Sequence, residues 1–135
     1  MEIRVTHPVP RIGVDIQDIT QFEQTLQRQG EHFIQKVFTS HEIQYCKKQH
    51  TPSQHFAARW AVKEAFYKAM SEEMQRIRYH FRGMEIRKRE DGKPYLQFYD
   101  VVKERMESLP FQTDISLSHS GQYAIGMVIL YRYDL

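Results

Sequence analysis

The sequence predicts an α+β fold with the element order β-α-α-α-β-β-α-β-β. Three observations carry this. Helix-capping signals cluster between residues 18 and 70, strand signals come in pairs at about 81–99 and 113–131, and Asp91-Gly92 is a hairpin turn joining the first pair. Helices gathered on one side of the chain and strands paired on the other argue for α+β, not alternating α/β.

The elements follow in order. "RIGVDI" (11–16) is a short apolar strand ending near Asp15. Asp18 is placed to cap the next helix, and Gly30 is a natural stop before a short segment, "EHFIQKVF". Thr39 with Glu42 three residues later is a capping box, opening a helix through about Lys48. Thr51, Pro52 and Gln54 mark another start, with Pro at the first helical position. The long helix that follows contains "FAARWAVKEAFYKAM" (56–70). Strands at about 81–89 and 95–99 flank "EDGKP"; "DVVKERMES" is a short helix, "TDISLSHS" alternates, and "YAIGMVILY" is a buried strand.

The composition narrows the class. The chain of 135 residues fits a single domain spanning 1–135, with 41% hydrophobic and 13% aromatic residues. No apolar run reaches membrane-spanning length, and "MEIRVTHPVP" lacks a signal-peptide core, so no membrane association is expected. The single Cys46 fits a reducing, cytoplasmic setting and is read as a helix residue, not a nucleophile. Net charge is +2, but residues 76–93 hold seven Lys/Arg against three Asp/Glu. That stretch is either a solvated strand face or a docking surface for an acidic partner.

The long helix raises the chemical question. At about 100° per residue, Ala58, Ala61, Val62, Ala65 and Ala69 form one small, flat face. Phe56, Trp60, Lys63 and Tyr67 gather opposite, Glu64 and Lys68 lie one turn apart at an edge, and Arg59 and Lys63 form a second such pair. A helix apolar nearly all round is buried, and charges within it need partners. Glu64 and Lys68 are either a surface pair or part of a site for an anionic ligand.

Other chemistries fail on spacing. One Cys and no suitable His pair argue against zinc. Walker A and G-x-G-x-x-G loops are absent, and no G-x-S-x-G elbow surrounds Ser116 or Ser118. What stands out is Asp15 at a strand end, Glu64 in a helix and His119 after another strand. Two carboxylates from separate elements can hold Mg²⁺ while a diphosphate supplies further oxygens. Arg59, Lys63 and Lys68 would then neutralise phosphate charge, as in a phosphoryl-type transfer site. The bland alternatives are a loop-capping Asp15 and a turn residue at His119.

"IGVDIQDI" (12–19), "FAARWAVKEAFYKA" (56–69), "DGKPYL" (91–96) and "ISLSHSGQYAIGMVI" (115–129) together resemble holo-acyl-carrier-protein synthase, the small trimeric class of 4′-phosphopantetheinyl transferase. The resemblance implies an antiparallel sheet packed on a long helix. It also implies Mg²⁺-dependent transfer of 4′-phosphopantetheine from coenzyme A to a serine of an apo acyl carrier protein, releasing adenosine 3′,5′-bisphosphate. By resemblance Asp15 and Glu64 are the metal ligands, and Lys68 contacts the CoA diphosphate. Arg59 and Lys63 lie at or beside the CoA site, and His119 lies near the CoA phosphates; Asp15, Glu64, Lys68 and His119 form the catalytic set. The family's site is built between subunits, so a homotrimer is implied.

The larger two-lobed transferases carry an acid where Gln17 stands, and this chain is too short for their form. Within the small class the sequence departs at three places. The Gly-Thr-Gly loop expected after the helix is replaced by "SEEMQRIR" after Met70, which predicts that the helix continues. Thr20 and Gln21 stand where the first helix carries a carrier-holding arginine, and the basic excess lies at 76–93 instead. Two competing readings follow: a non-catalytic protein of the same fold that binds CoA or a carrier, and nucleic-acid binding through "RIRYHFR". The second is disfavoured by its modest charge and missing recognition motif, so no nucleic-acid partner is expected.

Overall fold

A computed structural model describes residues 10–77 and 80–133. Arg78 and Tyr79 of the basic stretch lie outside the described residues. The elements are β1 (Arg11–Asp18), α1 (Ile19–Val37), α2 (Ser40–Lys47), α3 (Pro52–Ala69), β2 (Met84–Lys88), β3 (Pro94–Phe98), α4 (Asp100–Glu107), β4 (Phe111–Ser120) and β5 (Tyr123–Arg132). This is the order expected from the sequence. The strands form a three-stranded antiparallel sheet, β1-β5-β4, and a separate β2-β3 hairpin.

The start signals act largely as read. The Asp18 side chain accepts from the Gln21 N–H, and α1 breaks at Gly30 (φ 63°, ψ −150°). Thr39 and Glu42 form the full capping box of α2. Pro52 opens α3, but the Thr51 side chain makes no capping bond.

The small face of α3 lies against β1 and β5. A Cβ at Gly13 would overlap the Ala65 carbonyl, and one at Gly126 would overlap the Val62 backbone. Alanines on the helix and glycines on the strands therefore set how closely the two layers approach. One apolar cluster joins Val62, Phe66 and Met70 to Met84, Ile86, Val102 and Val128. A second joins Phe56 and Ala57 to Phe22, Ile34, Val37 and Phe38 of α1 and its end. The aromatic side of α3 faces this second cluster, with Trp60 edge-on to Phe81 at 4.7 Å and to Phe33 at 5.7 Å.

Two boundaries differ from expectation. The helix does not continue past Met70: α3 ends at Ala69, and residues 71–74 form turns. Tertiary contacts override helix propensity here. Met70 and Met74 are both fully buried. The Glu73 carboxylate pairs with Arg11, and the Glu73 carbonyl accepts from Arg105 Nε at 2.9 Å. The strand placed at 81–89 starts only at Met84, because Phe81–Gly83 form a 3₁₀ turn.

Candidate active site

Asp15 sits in β1 opposite Gly126, which in turn pairs with Leu117 of β4. Gly126 is pressed against α3, so Asp15 is on the face of the sheet that meets the helix. Lys68 comes to it from the last turn of α3. Its Nζ donates to Asp15 Oδ1 at 3.0 Å and to the Val14 carbonyl at 3.2 Å. The Gln17 amide donates to Asp15 Oδ2 at 2.6 Å. A neutral donor thus stands beside the Asp15 carboxylate.

Glu64 stands one turn before Lys68 and is half-buried. Burial, the Asp15 charge and, in the opposite sense, Lys68 act on it, and the sum holds its carboxyl above the usual carboxylate range. Two carboxylates that repel one another at the edge of an apolar helix are a fitting place for a hard cation. No group of three or more His, Cys, Asp or Glu gathers among the described residues. A metal held by Asp15 and Glu64 would therefore draw its remaining oxygens from water and from a phosphate-bearing ligand.

Arg59 and His119 meet elsewhere on the same helix face of the sheet. His119 is in register with Ala124 and Gln17, one step beyond the Leu117–Gly126–Asp15 row. Strand spacing and rise put it about 12 Å from Asp15, backbone to backbone. It lines a pocket of about 250 Å³ with Tyr45, His55, Arg59, Lys88 and Pro94. The Arg59 guanidinium lies over the Tyr45 ring at 4.3 Å, and Lys88 Nζ donates to the Tyr45 hydroxyl at 2.6 Å. Arg59 is only 3% exposed, yet its Nε finds no hydrogen-bond partner among the described residues. A buried, partly unpaired guanidinium in a basic pocket is suited to a phosphate.

Lys63 is not at this site, contrary to expectation. It is fully buried, and its Nζ donates to Glu42 Oε1 at 2.7 Å and to the carbonyls of Val37 and Phe81 at 2.8 Å each. All three ammonium donors are used, so none is left for a substrate phosphate. The reason is angular: Lys63 and Glu64 are consecutive, and the step of about 100° between them turns the lysine inward. Glu42 reaches on to the Ile86 N–H at 2.9 Å, tying α2 and α3 to the hairpin.

Sequence reasoning passed over Tyr45 and His55, and assigned Lys88 to the basic stretch at 76–93, not to this pocket. His55 precedes Arg59 by one helical turn and shares its face, which was a usable signal. Cys46 is buried, with its thiol pushed up to about 12 by desolvation, which keeps it out of nucleophilic chemistry.

The fold and this site define a class. The sequence pattern of the 4′-phosphopantetheinyl transferase superfamily matches residues 11–128, and the chain belongs to that superfamily. Within it, the chain is similar to the holo-[acyl-carrier-protein] synthase of Geobacter metallireducens, 36% identical over 122 residues that cover 89% of this chain and 95% of that protein. The synthase of Halothermothrix orenii is 34% identical over 119 residues, covering 87% and 94%. Among solved structures, the ACPS–CoA complex of Chronobacterium ammoniagenes superposes with a TM-score of 0.81 at 28% identity, covering 95% of this chain and all of that one.

Proposed function

We propose that the protein transfers 4′-phosphopantetheine from coenzyme A to a serine of an apo acyl carrier protein, as a holo-[acyl-carrier-protein] synthase. The observation that carries this reading is the convergence of Asp15 and Lys68 at 3.0 Å beside Glu64. The names of the relatives and the CoA complex of a structural neighbour point the same way.

Coenzyme A has two anionic regions, a diphosphate and an adenosine 3′-phosphate. The protein offers two matching places on one face. Asp15, Glu64 and Lys68 receive the diphosphate; Arg59, Lys88, His55 and His119 receive the 3′-phosphate. Asp15 and Glu64 would hold Mg²⁺, which neutralises diphosphate charge and polarises the phosphoryl oxygens when bound. The Lys68 side chain is 56% exposed, so it can leave Asp15 for a diphosphate oxygen. In the reaction a bond forms between the carrier serine oxygen and the pantetheine-side phosphorus. The P–O bond to the other phosphate breaks, and adenosine 3′,5′-bisphosphate leaves with the electron pair. The protein's part is to fix that geometry and balance the charge.

The reading includes assembly as a homotrimer. The sheet face turned away from α3 carries Ile12 at 64% exposure and Ile16 at 61%, with Val14, Ile125 and Met127 beside them. A contiguous apolar patch of this kind calls for a cover, and a second copy of the chain supplies one. The reading also includes a cytoplasmic setting; no helix among the described residues is long and apolar enough to cross a membrane. The experiment is to incubate the protein with apo carrier, CoA and Mg²⁺ and weigh the carrier. Gain of one phosphopantetheine is expected; CoA binding with an unmodified carrier would favour a non-catalytic binder.

A further inference from the structure

The pocket at Arg59 holds two imidazoles whose ring centres are 6.1 Å apart, His55 on α3 and His119 on β4. One phosphate group between them would be within reach of both. We infer that His55 is a specificity-determining residue of this site: it takes up a proton as the phosphomonoester enters, and so makes the preference for coenzyme A over its 3′-dephospho form dependent on pH. This rests on the proposed placement of the CoA 3′-phosphate in the pocket.

The argument is electrostatic and geometric. His55 is half-buried. Among the described residues, the charged and titratable groups that face it are basic or neutral in the empty pocket: Arg59 one turn on along α3, Lys88 from β2, His119 from β4, and the Tyr45 ring of α2, edge-on at 6.0 Å. Burial is the largest influence and Arg59, His119 and Lys88 add to it, so the imidazole is held below the ordinary histidine range and is neutral near pH 7. A phosphate dianion reverses the balance. It offers acceptor oxygens and negative charge to the same ring, which favours the imidazolium. Arg59 and Lys88 attract the phosphate at any pH in this range, but Lys88 is already tied to the Tyr45 hydroxyl. The added proton is therefore what completes the neutralisation.

The sign follows from linkage. Protons are taken up on binding, so affinity falls as pH rises between the free and the bound pKa of His55. The phosphomonoester has its own second ionisation near 6, so the window to use is roughly pH 6.8–8.3. One proton sets a ceiling of about tenfold in affinity per pH unit.

The test is isothermal calorimetry of the folded protein with Mg²⁺, using coenzyme A and 3′-dephospho-CoA as ligands, in buffers of different ionisation enthalpy. For coenzyme A, the expected results are a mean proton uptake of about one third to two thirds and a loss of affinity of about three- to tenfold across the window. For dephospho-CoA, the expected result is no pH dependence. His55→Gln should abolish the uptake and flatten the coenzyme A profile while leaving dephospho-CoA affinity as it was. Equal pH profiles for the two ligands would overturn the inference, as would proton uptake that survives in His55→Gln. A variant that loses both ligands equally would also overturn it, by assigning His55 a packing role against Tyr45. If neither ligand binds the unaltered protein, the placement of coenzyme A fails as well, a result distinct from these.

Discussion

Replacing Lys63 with Met should unfold the protein more readily without touching substrate contacts. Lys63→Met keeps chain length but removes the ammonium that joins Glu42, Val37 and Phe81. Glu42 is fully buried. It keeps two backbone donors, the N–H groups of Thr39 and Ile86, but loses its counter-ion; the Val37 and Phe81 carbonyls each lose the ammonium as a donor, and that of Phe81 keeps the Met84 N–H. Breaking one side of a buried pair costs about 3–5 kcal/mol. With 135 residues, an unfolding entropy of about 2.1 cal/mol/K per residue gives roughly 0.28 kcal/mol/K. The expected fall in Tm is therefore roughly 10–18 °C, read by circular dichroism at fixed protomer concentration because assembly shifts Tm by mass action. Lys63→Met with Glu42→Gln removes the orphaned charge as well and should recover part of the loss. At temperatures where Lys63→Met is folded, its KM for CoA should match the unaltered protein. A Tm within about 3 °C of the original, combined with a several-fold higher KM for CoA, would refute the structural role and return Lys63 to the phosphate site.

The remaining outcomes concern the site and its surfaces. Asp15→Ala and Glu64→Gln should each nearly abolish transfer with Tm little changed, measured by carrier mass and thermal melts; full activity in Glu64→Gln would remove it from the metal site. Glu64 is held above the usual carboxylate range, and its ionised form is the one that binds a cation. Activity should therefore fall with acidification above the pH at which an ordinary carboxylate would protonate. Lys68→Ala, by removing the charge that opposes this shift, should move that acid limb to higher pH. The same variant should slow transfer more than Lys103→Ala, whose residue makes only a 3.9 Å pair with Glu107 on α4; equal small effects would count against Lys68. Ile12→Asp with Ile16→Asp should lower the mass measured by light scattering, and an unchanged mass would exclude that sheet face as the subunit contact. Arg89→Glu should raise KM for the carrier at low salt with KM for CoA unchanged, and a null result at both salt levels would clear the hairpin of a docking role.

Most of the fold was legible because local signals and global packing agree. The Asp18 cap, the break at Gly30, the Thr39–Glu42 box and the Asp91-Gly92 turn each depend on a few neighbouring residues, and each stands in the structure. The element ends at Ala69 and Met84 were not legible, since both are set from outside. Arg11 and Arg105, distant in sequence, hold the turn at Glu73, while the Lys63 ammonium holds the Phe81 carbonyl. Arg87 shows the same limit. Read from sequence it belongs to an open basic face with Arg89, but it pairs with the buried Glu85 at 3.1 Å, which also binds Thr39 and Tyr99. Arg89 lies beyond the end of β2, which is why the docking test above uses it alone.

The site was legible in its residue types but not in its partition. Helical spacing placed Arg59 and Lys63 together and Glu64 beside Lys68, which suggested one cluster of charges around one ligand. In three dimensions α3 serves three neighbours along its length. Arg59 faces Tyr45 and the pocket near β4, Lys63 points into the core between α1, α2 and the turn at Phe81, and Glu64 and Lys68 meet β1. The choice between a packing lysine and a chemical one turns on what else comes within about 3 Å of its nitrogen. For Lys63 that is Glu42, 21 residues earlier, and for Lys68 it is Asp15, 53 residues earlier. Both distances exceed anything helical periodicity can report. Adjacent positions in one short run can thus separate stability from chemistry, and the contrast between Lys63→Met and Lys68→Ala measures that separation directly: one should lower Tm and spare turnover, the other should spare Tm and lower turnover.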